Sequence, residues 1–176
     1  MEDTGKAPFW KPALNYALIM AAVSIFLTLA FYFTDIYLKG WASVVNGLIS
    51  IAVLVYLLIQ YRDKVLGGYA SFGQLFVMGL VASLISLVIG MAFGMLQQYV
   101  LFPEMQEAIL LNAQEKILNN TRIPESMVDQ QLERVENMMQ PGRQVLLGLV
   151  GGTFFNAIIL LVIAAILKKE ESIVGV

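Results

Sequence analysis

Apolar positions along the chain gather into four runs, 13–33, 41–60, 72–102 and 145–167, and none of them contains Asp, Glu, Lys or Arg. A helix rises about 1.5 Å per residue and the hydrocarbon core of a bilayer is about 30 Å thick, so about 20 residues cross it. Each run reaches that length, and the pattern predicts four transmembrane helices. The third run is too long for a straight crossing, roughly 45 Å as one helix, so it must tilt or let Gln97, Gln98 and Tyr99 emerge at the interface.

The connections have their own signals. Residues 34–40 are few enough to demand a tight hairpin. Residues 61–70 carry Arg62, Asp63 and Lys64 at one membrane surface and then Gly67-Gly68, a pair suited to positive φ in a turn. Ser71 with Gln74 three residues on has capping-box spacing and predicts the start of the third helix. Pro103 is placed to break or bend the chain after it. Trp10, after a short polar arm with Glu2, Asp3, Lys6 and Pro8, has the chemistry of an interfacial anchor. The first run is longer than a signal-peptide core, and no small-residue cleavage site follows it, so it reads as a retained helix.

Residues 104–143 form the one sizeable polar segment, and it is helical in character. Asn119-Asn120-Thr121-Arg122 reads as a turn, and Pro124-Glu125 suits the first turn of a new helix. Val128, Leu132, Val135 and Met139 then recur at helical spacing, an apolar stripe on a helix whose other face is charged. Pro141-Gly142 is expected to end that helix. The segment predicts a helical hairpin over one end of the bundle, its stripe only partly covered by Met105, Ile109, Ile117 and Leu118. The fold class is therefore all-α integral membrane: four transmembrane helices with an extracytoplasmic helical hairpin between helices 3 and 4, in a single membrane domain spanning 1–176.

Composition sharpens this. The chain is 59% hydrophobic and 14% charged, too little polar surface for a soluble protein of this size. A net charge of −2 argues against nucleic acid, which calls for a basic face. There is no Cys and no His, so thiolate metal sites, disulfides, His-based acid–base chemistry and His-ligated haem have no residues to build on. Lys6, Lys11, Arg62, Lys64, Lys168 and Lys169 fall on one side of a four-span threading. Lys39, Lys116, Arg122, Arg134 and Arg143 fall on the other. The positive-inside rule then favours both termini in the cytoplasm of a bacterial inner membrane.

Tyr61-Arg62-Asp63-Lys64, Gly67-Gly68, Ser71-Phe72-Gly73, Phe76 and Gly79 resemble the domain-of-unknown-function 4199 family, small four-helix inner-membrane proteins found widely in Bacteroidetes. Pro103-Glu104, the acidic segment after it, and the closing Ala164-Ala165-Ile166-Leu167-Lys168-Lys169 extend the resemblance over most of the chain. Ile123 departs from it, standing where a Ser or Thr cap is expected before Pro124. The resemblance implies topology and no activity. The bacterial context it implies also removes interest from the Asn119-Asn120-Thr121 sequon.

Each candidate feature has a bland reading beside the sharp one. Arg62, Asp63 and Lys64 could bind anionic lipid or a partner, but cationic residues beside a span also fix topology. Gly67 and Gly68 could form an anion nest, but a turn needs them too. Gly148 and Gly152 share a helical face with Asn156. Gly79 with Ser83, and Ser86 with Gly90 and Gly94, do the same on the third helix. Such faces serve either homodimerisation or packing within one bundle, and the second is favoured. Asn156 and Asn46 lie in apolar runs and are expected to find partners. Met91 and Met95 raise Cu(I) ligation, although methionine more often fills irregular packing. The hairpin's carboxylates are spread along solvated faces, not converged for catalysis.

No catalytic, cofactor or metal residues are assigned. The leading expectation is a structural or interaction subunit of an envelope assembly, with Leu132 and Val135 as part of its lipid- or partner-facing stripe. Its partners would be the bilayer and a membrane or periplasmic protein or a second copy. A small oligomeric channel or transporter component is the alternative, and an enzyme is least supported.

Overall fold

A computed structural model describes residues 9–170. Glu2, Asp3, Lys6 and Pro8 of the polar arm lie outside the described residues. Four of the helices are long and apolar enough to cross a membrane: Trp10–Phe33, Gly40–Val65, Phe72–Leu101 and Pro141–Leu167, of 24, 26, 30 and 27 residues. The chain is a multi-pass membrane protein. We number the helices α1 (Trp10–Phe33), α2 (Gly40–Gln60), α3 (Phe72–Leu96), α4 (Glu104–Leu118), α5 (Glu125–Met138) and α6 (Pro141–Leu167). Two of the spans end in a wider, π-type turn, Tyr61–Val65 after α2 and Gln97–Leu101 after α3.

Local chemistry sets the ends. Ser71 accepts from the Gln74 backbone and Gln74 answers through its side chain, the reciprocal capping box that starts α3. Gly67 and Gly68 adopt φ of +72° and +97°, which glycine enters without a Cβ penalty. The Gly68 N–H donates to the Arg62 carbonyl at 2.9 Å and the Leu66 N–H to the Tyr61 carbonyl at 3.1 Å, so two of the donors in this turn are already used within it. The helix also runs further into this connection than its charges imply, since residues 61–65 stay helical. Pro141 corrects the expected boundary. It opens α6 instead of closing α5, because the first turn of a helix has no acceptor waiting for the N–H that proline lacks. The fourth crossing helix thus begins before residue 145, and Arg143 sits in its first turn. α5 begins after Pro124 with no side-chain cap.

α3 is the hub. It packs chiefly against α1 and α6, while α2 leans on α1 and touches α3 and α6 less. α1 meets its neighbours through Ala13, Ala17 and Ala21, all essentially buried. Alanines four apart let two backbones approach closely where lipid gives no hydrophobic drive. The core gathers at the end of the bundle where α1 begins and α6 ends: Ala13, Leu54, Leu58, Tyr61, Leu75, Met78, Leu160, Ile163 and Ala164 form one cluster. An antiparallel backbone pair between Ala70 and Lys169, 2.9 Å in each direction, clasps it shut. Large apolar side chains such as Phe26, Leu48, Phe154 and Ile166 face outward, as a lipid-facing surface requires.

Candidate functional site

Moving away from the clasped end, the four crossing helices part around a cleft of about 250 Å³. Its walls include Ser24 of α1, Ser50 of α2, Ser83 and Ser86 of α3 and Asn156 of α6, with Met20, Leu87, Gly90 and Met91 beside them. Each of the four helices contributes a polar group from near the middle of its length. Ser50 and Ser83 turn their hydroxyls back to carbonyls one turn earlier, to Asn46 at 2.8 Å and Leu80 at 3.1 Å. Such back-bonding satisfies a hydroxyl without a neighbour. The expectation that Asn46 finds a partner fails. Its side-chain oxygen is buried and unpaired, and Asn156 faces the cleft.

The glycines mark the same division. A Cβ on Gly79 would run into Leu160 and come within 3.3 Å of Leu58. One on Gly148 would stand 3.0 Å from Met91, and one on Gly152 3.1 Å from Leu87. These three sit against side chains of the same chain. Gly90 and Gly94 have open space instead, because they border the cleft and the gap beside it. Met91 is engaged in filling the space over Gly148, and no group of three His, Cys, Asp or Glu converges among the described residues.

At the far end the α4–α5 hairpin is fastened by a few polar ties. Tyr32 of α1 stacks on Phe102, centroids 4.1 Å apart, and donates its hydroxyl to Glu104 at 2.6 Å. That hydrogen bond, with one from the Glu104 backbone, holds the Glu104 carboxyl below its ordinary range. The Tyr99 hydroxyl donates to the Met139 carbonyl at 3.1 Å and accepts from Gln106 at 3.2 Å. Lys116 reaches the Leu38 carbonyl of the first connection at 3.4 Å. Within the hairpin Gln114 bonds Glu136 at 3.2 Å. Val128, Leu132, Val135 and Met139 are half-buried, and α5 has no fully buried residue. Leu111, Leu118 and Met127 remain exposed.

One residue here is out of keeping. Gln97, in the wide turn after α3, is 1% exposed, and neither its amide nitrogen nor its oxygen has a partner. At the opposite surface, Arg62 is committed to structure. It pairs with Asp63 at 2.7 Å and donates to the Leu167 carbonyl at 3.1 Å, tying the second connection to the end of α6. Lys64 is exposed beside it.

The arrangement has a family. The sequence model described as "Protein of unknown function (DUF4199)" matches residues 15–169, most of the chain. The chain belongs to that family. Among curated proteins and among solved structures, none matches it. The DUF4199 match takes in the capping box, the glycine turn, the cleft-lining serines and the whole hairpin. Sequence reasoning read Ser83 and Ser86 only as packing residues and passed over three features: the cleft that these serines share with Ser24 and Ser50, the buried alanine stripe of α1 and the Tyr32–Glu104 tie. Signals for the first two were present. Each predicted crossing helix has a hydroxyl or amide near its middle, and Ala13, Ala17 and Ala21 recur at helical spacing. The third joins residues far apart in the chain and leaves no local pattern.

Proposed function

We propose that this protein is a non-enzymatic interaction subunit of a bacterial inner-membrane assembly. Both termini are cytoplasmic and the α4–α5 hairpin is presented on the extracytoplasmic face. The observation that carries this is the hairpin itself: tied at its root to the bundle, yet offering Leu111, Leu118 and Met127 outward. Exposed apolar side chains beyond the bilayer cost about 25 cal/mol per Å² left in water, so a covering partner is the economical arrangement. The basic residues support the orientation.

The chain has no native Cys, so threading can be read by labelling. A cysteine at Gln130 should react with an impermeant maleimide from the periplasm, and one at Lys64 should not. The reverse pattern would overturn the orientation. A photo-crosslinker at Leu118 should capture one protein in stoichiometric amount, and Leu111→Glu with Leu118→Glu should abolish the capture. Crosslinks to lipid alone would defeat the interaction reading.

A second reading, a component of a channel or transporter, is favoured by the polar cleft near mid-membrane. Ser86→Cys should then be labelled by a small water-soluble thiol reagent, whereas a dry, unreactive cleft removes this reading.

A further inference from the structure

A groove of about 490 Å³ lies where α5 meets the start of α6. Its polar lining includes Arg134, Arg143, Glu133 and Asn137, and its apolar lining includes Leu146 and Leu147. Among the described residues neither arginine takes part in a salt bridge. Two guanidiniums and one carboxylate leave a single net positive charge. This matches one phosphodiester better than a doubly charged phosphate monoester. Arginine is the side chain suited to phosphate, through its fork of donors.

What lies below the groove decides between a soluble anion and a lipid. Leu147, Val150 and Phe154 follow Arg143 at four-, three- and four-residue steps, one face of α6. They are 53%, 63% and 62% exposed. From Arg143 to Phe154 the helix climbs about 16 Å. That is about half of a hydrocarbon core of about 30 Å, the depth of one leaflet. A cationic head site thus stands directly over an apolar track as long as one acyl chain.

We propose that this groove is a binding site for an anionic diacyl phospholipid. Its phosphodiester sits between Arg134 and Arg143, a headgroup hydroxyl donates to Glu133, and a chain lies along Leu147, Val150 and Phe154. The lipid would mortar the hairpin to the bundle, since its head bridges α5 and α6. The site does not rest on the interaction reading, and of the residues tested there only Gln130, the labelling position, borders the groove.

The purified full chain in zwitterionic detergent can be titrated with dimyristoyl phosphatidylglycerol and with the matching phosphatidylcholine, the adducts being counted by native mass spectrometry. The expected result is about a tenfold preference for phosphatidylglycerol, the size that one or two interfacial cations supply. Arg134→Gln with Arg143→Gln should bring the two lipids near parity. Lys39→Gln with Arg122→Gln, equal in charge and at the same end of the bundle, should keep the preference. Arg134→Lys with Arg143→Lys should retain part of it, which guards against misfolding of the glutamine pair. Inorganic phosphate at millimolar concentration should not compete. Equal binding of both lipids by the wild type overturns the proposal, as does an unaltered preference in the Arg→Gln pair. Displacement by inorganic phosphate also overturns it, in favour of a soluble-anion site.

Discussion

The two ends of the bundle are built on different principles. At the end where α1 begins and α6 ends, large side chains interlock around Gly79, and Ala70 and Lys169 clasp backbones. From about mid-length towards the other end the same helices part around serines and an asparagine, and the hairpin beyond is held by individual hydrogen bonds. In lipid, helices associate through close packing more than through hydrophobicity. The closed end can therefore carry more of the stability than the open end. Low local packing is what regions that bind or move tend to show.

The sharpest way to break this contrast is to overpack the closed end. Gly79→Ile should cost about 3 kcal/mol, at the upper end of ordinary overpacking, because fully buried Leu160 has nowhere to turn. Thermal unfolding in detergent measures it, and a wild-type melting point would mean the ends do not differ as described. Gly152→Ile should cost less, since the Leu87 tip borders the cleft and can give way.

Gln97→Met should move stability the other way. It removes two buried polar atoms that have no partner, each worth about 1–3 kcal/mol of desolvation. We expect a gain of about 1 kcal/mol by the same measurement. A loss of similar size would show that Gln97 holds something.

Gly90→Ala is the counterpart of the change at Gly79. With open space around it, the substitution should be neutral or stabilise by up to about 1 kcal/mol through helix propensity. A clear destabilisation would mean the cleft closes in the membrane.

The smallest effect concerns the hairpin tie and is local. The Glu104 carboxyl is held below its ordinary value of 4.5, chiefly by the Tyr32 hydroxyl. A carboxyl so depressed contributes stability that is full above its ordinary value and is lost as pH falls through the depressed one. Amide exchange in α4 should therefore quicken only in acid below about pH 4.5. In Tyr32→Phe it should already be faster at neutral pH and lose most of that acid step. An acid step of full size in Tyr32→Phe would place the tie elsewhere.

Much of the fold was legible because hydropathy and capping are local. Crossing helices, the capping box and the glycine turn all read directly from adjacent residues. The hairpin's helical content and its partly covered stripe followed from spacing. Pro141 misled, since a proline serves equally well to end one helix or to begin the next. The open end was not legible for a different reason. Whether a serine faces a neighbour, its own carbonyl or a cleft depends on how helices splay, and splay is set by contacts such as Gly79 with Leu160, distant in sequence. The same holds for Arg134 and Arg143, which sequence placed together on the polar segment and structure divides between two helices.

The central place of α3 also bears on how the chain is made. α6 leaves the ribosome after α1, α2 and α3, yet it supplies Leu160, the side chain that fills the Gly79 hollow. Until then α1, α2 and α3 wait in the bilayer with that hollow against lipid. The three-helix intermediate therefore stays incomplete through the whole synthesis of the polar hairpin.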